Sequence, residues 1–116
     1  SNDAAVQAAL AGRRRGVDVA IETVIPYLVM DDTYAQRPNF EGAKYVMSPP
    51  IRHISQQPLL WRALRNREIA TVATDHAPFD FHGQKEMGRD DFTKIPNGIP
   101  SIEERVNLLY SYGVDK

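Results

Sequence analysis

Apolar and polar residues follow each other along the chain in short blocks, and the first block has the spacing of a helix. Over residues 3–16, Val6, Ala9 and Leu10 fall three and four positions apart, as on one face of an α-helix. The polar residues that precede them can cap the first turn with a side-chain oxygen. Gly16 stands where the left-handed residue that ends a helix is needed. The pattern therefore predicts a helix followed by a tight turn.

Three apolar blocks have the length and composition of β-strands. Residues 17–24 are rich in β-branched side chains, and residues 43–47 form a shorter block that a Ser-Pro-Pro sequence closes. Residues 68–74 form the third block, which is almost wholly apolar from 69 to 73. Such a run is typical of a parallel strand that is covered on both faces.

Two more helices are predicted in the second half of the chain. Ser55 can cap a helix that runs to about Asn66. Ser101 and Glu104 have the spacing of a capping box, and Gly113 is expected to end the helix that follows. The side chains expected to face inward are Leu60, Trp61 and Leu64 in the first of these helices and Ile102, Val106 and Leu109 in the second.

The order of these elements predicts the fold class. Helix, strand, strand, helix, strand, long loop and helix follow one another, with polar loops at 29–42 and 75–100. Strands that alternate with helices indicate an α/β fold with a parallel sheet. In such folds, ligands bind at the carboxyl ends of the strands. Asp75 directly follows the most apolar strand, so we expect it at the edge where a site forms.

Composition narrows the classes of protein that remain. The chain has 116 residues, which is one domain or part of one, and its net charge of −1 gives no footprint for nucleic acid. It has no cysteine, so disulfides and thiolate metal sites are excluded. No apolar run approaches the ~20 residues of a membrane span, and no cleavable signal is visible. We expect a cytoplasmic enzyme or binding domain that does not associate with membranes.

Asp75 is the strongest candidate for chemistry. A carboxylate at a strand end can bind a metal ion and can accept a proton from metal-bound water. The alternative is that Asp75 caps the following turn, and its position alone leaves both interpretations open. The adjacent His76 is expected to support the structure or a ligand rather than to react. His53 and His82 lie in polar segments and are expected to be solvated.

Two further segments have a functional and a plain structural interpretation. Ser48, in the sequence Met-Ser-Pro-Pro, can present its hydroxyl to a ligand or can simply mark a strand end. Asn97 belongs to a Pro-Asn-Gly sequence, and since Asn-Gly is so common in turns, the residues alone favour a turn. The charged sequence QKEMGRDD at 84–91 is expected to be a solvated loop.

Four segments taken together are much more specific than any one of them. They are GAKYVMSPPIR, LLWRAL, VATDHAPF and QKEMGRDDFTKIPNGIPSIEERVNLLYSYGV. In this order and spacing they closely resemble the dihydropyrimidinase and hydantoinase family, from about residue 17 to the end. The first helix matches less distinctively.

The resemblance implies a fold and a chemistry. Members of this family have a (β/α)8 amidohydrolase barrel with two metal ions, usually zinc, bridged by a carboxylated lysine. They open cyclic amides by attack of a metal-bridging hydroxide on a ring carbonyl. By resemblance, Asp75 is a metal ligand and the proton acceptor, while Ser48 and Asn97 hold the amide groups of the ring. For Asn97 this replaces the interpretation as a plain turn.

The resemblance also indicates that the chain is partial. The other metal ligands of the family belong to segments upstream of the region matched here, and a complete barrel needs about 250 residues. Residues 1–116 are therefore expected to form a partial barrel domain with the last two or three strand–helix units. Alone this chain is expected to be inactive, and the parent is expected to be a homo-oligomer that acts on a small cyclic amide.

One departure from the family bears on specificity, and two alternatives stay open. Residues 22–28 read ETVIPYL where many relatives have ETCPQYL, at the rim of the site, so substrate preference is not fixed.

A dihydroorotase shares the strand-end motif, but usually has Asn at the position of Ser48 and lacks the DFTKIPNG pattern. A non-catalytic scaffold relative would have lost metal ligands, and retention of Asp75 argues against it.

Overall fold

A parallel pair of strands and four helices make up the core of residues 1–114, which are the residues that the computed structural model describes. The helices are α1 (Asp3–Arg14), α2 (Ile25–Val29), α3 (Gln56–Arg65) and α4 (Arg105–Gly113). The strands are β1 (Glu22–Val24) and β2 (Thr71–Ala73). In the connections lie 3-10 helices at Asp32–Gln36, Glu41–Tyr45, Lys85–Gly88 and Phe92–Lys94.

The two strands are neighbours although residues 25–70 lie between them in the chain. β1 and β2 pair in parallel, with Thr23 opposite Val72. Parallel strands need a long crossover, and here the crossover carries α2 and α3, which pack on each other. Residues of α1, α2 and α3 and residues that lead into both strands share one apolar core, whose buried members include Val6, Ile21, Ile25, Leu28, Leu60 and Ile69. The predicted parallel α/β architecture is confirmed.

Helix α1 forms as its sequence predicts. The side chain of Asn2 accepts a hydrogen bond from the amide of Ala5 at 3.1 Å, and Gly16 has a left-handed φ of 84° just after the helix. Arg13 lies in the last turn, where a positive charge complements the helix dipole. Its guanidinium also donates to the carbonyls of Val19, at 2.7 Å, and Glu68, at 2.9 Å. One side chain thus ties the helix end to the segments that lead into both strands.

The block predicted as a strand at 17–24 is a strand only in its last three residues. The chain turns at once into α2, a helix that the sequence pattern did not predict. Pro26 lies in the first turn of α2, where a missing amide hydrogen costs nothing and the fixed φ suits a helix. The four residues Ile25, Pro26, Tyr27 and Leu28 are all buried. Burial on every side explains why no amphipathic period marks this helix.

The strand predicted at 43–47 is wrong. Residues 41–45 form a 3-10 helix, which packs on the 3-10 helix Asp32–Gln36 and does not join the sheet. Gly42 permits this packing, because a Cβ atom there would lie 2.0 Å from the carbonyl oxygen of Ala35. The rings of Tyr34 and Tyr45 meet edge to face at 5.0 Å. The β-propensity of the block is therefore overridden by contacts within the loop.

Helix α3 lies where it was predicted, but its cap differs. Ser55 has helical dihedral angles and makes no capping hydrogen bond; its hydroxyl lies 3.0 Å from Nδ1 of His53. Leu60 is fully buried, and the indole nitrogen of Trp61 donates to the carbonyl of Leu28 at 3.0 Å. Leu64 is half-buried against the same core. The inward face predicted for α3 is confirmed, and packing on α2 holds it in place.

The start and the buried face predicted for the last helix are wrong. The hydroxyl of Ser101 donates to the carbonyl of Thr74 at 2.6 Å, so it does not cap, and α4 begins only at Arg105. Ile102 and Val106 are 59% and 68% exposed. The core is contacted instead by Leu108 and by Leu109, of which only the latter was predicted. α4 does end at Gly113, as expected.

Several apolar surfaces of the described chain face solvent. Thr71 of β2 is exposed and Val72 and Ala73 are only half-buried, so the expected coverage of this strand on both faces is wrong. The outer surface of α4 and its flanks adds the exposed residues Ile102, Val106, Tyr110 and Val114. Among the helices of residues 1–114, none combines the length and apolar character that crossing a membrane requires.

We expect the isolated 116-residue chain to self-associate. A two-stranded sheet leaves open edges that can pair with another chain, and a contiguous apolar helix face favours association. Sedimentation velocity at micromolar concentration measures this, and a monodisperse monomer would contradict it.

A pair of variants separates the helix face from other causes. Ile102→Lys combined with Val106→Lys places two charges on the exposed apolar surface formed by α4 and the residues before it, and should shift the distribution toward smaller species. Val17→Lys adds a charge at a residue that is 52% exposed in the turn after α1, and should leave the distribution unchanged.

Candidate functional site

Asp75 lies at the carboxyl end of β2, as its place in the sequence predicted. Its backbone has a φ of 51°, in the left-handed region, and the residue is exposed. Aspartate tolerates this region better than most residues, yet the conformation is still uncommon outside glycine. Strained backbone of this kind recurs at functional sites, where the surrounding structure holds it in place. The strand end is thus a candidate site on geometry as well as on residue type.

Ser48 and Asn97 are brought together although 49 positions separate them. The hydroxyl of Ser48 donates to Oδ1 of Asn97 at 3.1 Å. The amide nitrogen of the Asn97 side chain donates to the carbonyl of Ile95 at 3.0 Å, which fixes the orientation of that side chain. Both residues are exposed. A hydroxyl and a carboxamide therefore form an ordered polar pair on the surface.

Backbone hydrogen bonds join the Ser48 and Asn97 segments to each other and to the end of β2. The amide of Gly98 donates to the carbonyl of Val46 at 3.0 Å, and the amide of Ala77 donates to the carbonyl of Ile99 at 3.2 Å. His76 and Ile99 form an isolated parallel bridge. The segment that follows Asp75 thus continues the pairing of the sheet onto the residues that follow Asn97.

Gly98 is required where these segments meet. Its φ is 151°, which side chains rarely permit, and a Cβ atom there would lie 2.5 Å from the carbonyl oxygen of Ala77. The same Cβ would lie 2.6 Å from the Cβ of Ala77. The Asn-Gly pair is therefore more than a turn signal, because its glycine lets two backbones approach.

Lys85 is a residue of the site that the sequence pattern did not reveal. It was expected in a solvated loop, but it is 2% exposed. Its ammonium donates to three carbonyls, those of Val46 at 3.0 Å, Pro96 at 2.6 Å and Gly98 at 2.8 Å. Burial lowers the pKa of Lys85 from its usual value. Its sequence neighbours Gln84 and Met87 are exposed and Glu86 is half-buried, so no local pattern marks Lys85 as buried.

Tyr27 is the second residue that the sequence did not reveal. It lies in α2, directly after β1, and its hydroxyl donates to the carbonyl of Pro49 at 2.6 Å. Burial raises the pKa of Tyr27, the negative charge of Asp75 raises it further, and Arg52 acts in the opposite direction. The phenol therefore stays protonated and remains a donor. Its proline neighbour in the ETVIPYL sequence was the available signal, since it marks a helix start after the strand.

The three histidines have contacts that do not involve Asp75. Nδ1 of His76 accepts from the backbone amides of Ser101 at 3.1 Å and Ile102 at 3.3 Å, so this ring fastens the chain ahead of α4. His53 is exposed beside Ser55. Nδ1 of His82 lies 3.1 Å from Oε2 of Glu86, and this ring is also exposed.

The residues of the described chain do not by themselves fit a metal centre. Nowhere in residues 1–114 do three or more histidine, aspartate or glutamate side chains converge so that they could hold a metal ion. A zinc site in an enzyme takes three protein ligands and a water molecule. Asp75 offers one carboxylate at the strand end, and the ring of His76 is engaged elsewhere through Nδ1.

Known proteins with this arrangement were found both by sequence and by structure. No family model matches the chain. A D-hydantoinase from Geobacillus stearothermophilus is 54% identical over 112 residues, which are 97% of this chain and 24% of that protein. A D-hydantoinase from Streptomyces coelicolor is 48% identical over 103 residues, which are 89% of this chain and 22% of that protein. The solved structure of a D-hydantoinase (dihydropyrimidinase) from Thermus sp. matches with a TM-score of 0.92 at 55% identity, over 96% of this chain and 24% of that one.

These matches define the class of the fold and then the family. The parallel strands with flanking helices and a strand-end site are a segment of an amidohydrolase barrel of the TIM type. Nearly the whole chain is similar to one segment of the hydantoinases and dihydropyrimidinases, which is consistent with a fragment of that family. It spans about a quarter of the length of the relatives it matches.

We expect Gly98→Ala to loosen the site far more than Gly83→Ala. Both glycines have positive φ values, 151° and 81°, but a Cβ atom at Gly83 would meet nothing within 4 Å. Gly83→Ala therefore adds only backbone strain of roughly 1–2 kcal/mol, whereas Gly98→Ala adds a backbone collision. Hydrogen exchange of peptides covering residues 95–101, in a full-length protein carrying this segment, should rise ~10-fold or more for Gly98→Ala alone. Equal exchange in the two variants would contradict the assigned close approach.

We expect the isolated 116-residue chain to hold no pair of tightly bound metal ions, because Asp75 offers one ligand where a catalytic zinc uses three. Metal analysis of the purified chain after dialysis measures this. Two retained zinc ions per chain would contradict the prediction.

Proposed function

We propose that the protein carrying this chain hydrolyses the cyclic amide ring of hydantoins or dihydropyrimidines. The chain spans about a quarter of the D-hydantoinases it matches, so the activity of the whole protein is inferred from that kinship together with the site. In this proposal the chain supplies loops that hold the substrate and one carboxylate at the reacting end.

The contact between Ser48 and Asn97 carries the proposal. A cyclic amide presents a ring N–H donor next to a carbonyl acceptor. The Ser48 hydroxyl can donate or accept, and Asn97 offers a carbonyl oxygen and an amide nitrogen. These groups lie 3.1 Å apart, which suits two neighbouring atoms of one small ring. Since both side chains are exposed, a ring that binds there exchanges water for matched hydrogen bonds.

Asp75 is proposed to move the proton in this reaction. A carboxylate positioned at a strand end can accept the proton released when water adds to the ring carbonyl, and can deliver it to the departing ring nitrogen. The family is metal-dependent, and we propose zinc, with Asp75 as one ligand. A bound metal ion would polarise the carbonyl and lower the pKa of the attacking water. The remaining ligands lie outside the set that residues 1–114 provide.

The same proposal also assigns the domain, the partners and the cellular compartment of the chain. Residues 1–116 form a partial barrel domain within a larger catalytic domain, which their match to a quarter of each relative supports. The exposed apolar residues of α4, Val106 and Tyr110 among them, supply surface for contacts with the rest of the barrel or with another subunit of a homo-oligomer. A small cyclic amide is the partner of the site, and the cytoplasm is the proposed compartment.

The order of three substitutions tests the mechanism in a full-length protein carrying this segment. Asp75→Asn keeps the shape of the side chain but removes the base and weakens metal binding, so kcat should fall at least ~10²–10⁴-fold. Ser48→Ala and Asn97→Ala remove hydrogen bonds to the ring, so each should cost roughly 1–3 kcal/mol in kcat/KM. Steady-state kinetics on dihydrouracil, a 5-substituted hydantoin and dihydroorotate measure both effects and discriminate the dihydroorotase alternative.

A matched control tests whether the loss of another carboxylate lowers kcat as much as the loss of Asp75 does. Asp18→Asn makes the same chemical change at an exposed residue in the turn ahead of β1, away from the strand ends, and should leave kcat unchanged. Wild-type turnover in Asp75→Asn with bound metal would contradict the catalytic role. Absence of activity toward dihydrouracil and the hydantoin in the wild-type protein would contradict the proposed function, and activity toward dihydroorotate alone would favour the dihydroorotase alternative.

A further inference from the structure

We propose that Lys85 is a positioning residue for substrate binding, which holds the Ser48 and Asn97 segments in register through three backbone carbonyls. The inference rests on the proposed function, because it assigns the means by which the substrate-binding pair is kept in place. Lys85 is not proposed to touch the substrate.

The three acceptors of Lys85 lie on both sides of the pair. The carbonyls of Pro96 and Gly98, at 2.6 and 2.8 Å, flank Asn97 directly in the chain. The carbonyl of Val46, at 3.0 Å, lies two residues before Ser48. One ammonium therefore contacts the backbone of both segments, at the place where the Gly98 amide also bonds to Val46. Moving either segment would break at least one of these bonds.

The side chain that makes these bonds is itself firmly held. The backbone amide of Lys85 donates to the carbonyl of Asp80 at 3.0 Å. Within the same 3-10 helix, Gly88 packs so closely on Ile95 that a Cβ atom would lie 2.1 Å from its side chain. Lys85 is 2% exposed, so its stem is confined by packing. The 3-10 helix Lys85–Gly88 thus forms a fixed base beneath the Asn97 segment.

The chemistry of the ammonium explains why lysine stands here. A buried charge is costly unless every donor finds an acceptor, and an ammonium has three donors, which three carbonyls match. Hydrogen bonds from a charged donor are about twice as strong as neutral ones. Arginine is planar and carries five donors in a fixed fork, so it does not match three carbonyls around one point. An apolar residue would leave three carbonyls, of which that of Gly98 is buried, without this partner.

A double-mutant cycle separates positioning from general stabilisation. In a full-length protein carrying this segment, Lys85→Met should lower kcat/KM ~10–100-fold, mainly by raising KM. In an Asn97→Ala background, the same change should cost only about 2–3-fold, because the side chain that Lys85 positions is already absent. Lys94→Met is the matched control, since Lys94 is an exposed lysine of the same loop, and it should change kcat/KM less than ~2-fold.

The outcomes that overturn the proposal are distinct. Equal fold losses for Lys85→Met in the wild-type and Asn97→Ala backgrounds would show that Lys85 acts independently of the pair. A wild-type protein inactive on dihydrouracil and hydantoins would overturn the proposed function, and the substrate role of Lys85 with it. An active wild type with additive losses would overturn the role of Lys85 alone.

A second variant covers the case in which Lys85→Met fails to fold. Lys85→Arg keeps the charge but not the donor geometry, so kcat/KM should still fall, and hydrogen exchange over residues 95–101 should rise while that of α1 stays unchanged. Wild-type values of both kcat/KM and exchange in Lys85→Arg would overturn the proposal, since charge alone would then suffice.

Discussion

The parallel pairing of β1 with β2 is the contact on which the described structure depends. Because the two strands run in the same direction, whatever follows each of them emerges at the same edge. Tyr27 follows β1 within α2, and Asp75 follows β2, so the charge of Asp75 adds to the effect of burial, which raises the pKa of Tyr27. The crossover that a parallel pair requires also brings α2 and α3 together over the core. Three residue pairs between the strands thus determine which loops lie together at the candidate site.

Beyond the carboxyl ends of the two strands, the candidate site consists of loops, which are stabilised by side-chain hydrogen bonds rather than by strand pairing. Exposed loops lack a regular ladder of hydrogen bonds, so their polar backbone groups need individual partners. Here the hydroxyl of Tyr27 donates to the carbonyl of Pro49, and the ammonium of Lys85 donates to carbonyls near Ser48 and Asn97 in the chain. Buried donors therefore hold an exposed polar pair. This division suits a binding site, because the contact surface stays accessible while its support excludes water.

The surfaces left open are as informative as the core. The outer residues of α4 are apolar but exposed, and Val72 and Ala73 of β2 are only half-buried, whereas Leu108 and Leu109 on the other side of α4 pack against the core. A chain that matches a quarter of each relative has only part of the barrel that would cover such surfaces. Within residues 1–114, likewise, no three histidine, aspartate or glutamate side chains converge so that they could hold a metal ion.

The sequence by itself determined the local elements and supplied the candidate residues of the proposed site. The cap at Asn2, the turn at Gly16 and the strand ending before Asp75 follow from short-range chemistry, which is encoded within a few residues. Ser48 and Asn97 were singled out through family resemblance, since a hydroxyl and a turn carry little information alone. Tertiary structure decided the rest. The strand predicted at 43–47 is replaced by the 3-10 helix Glu41–Tyr45, because the backbone of Ala35 packs on Gly42. Ser101 donates to the carbonyl of Thr74 instead of capping α4. The buried face of α4 and the buried position of Lys85 depend on contacts with residues that are distant in the chain. A local sequence pattern carries no information about such contacts.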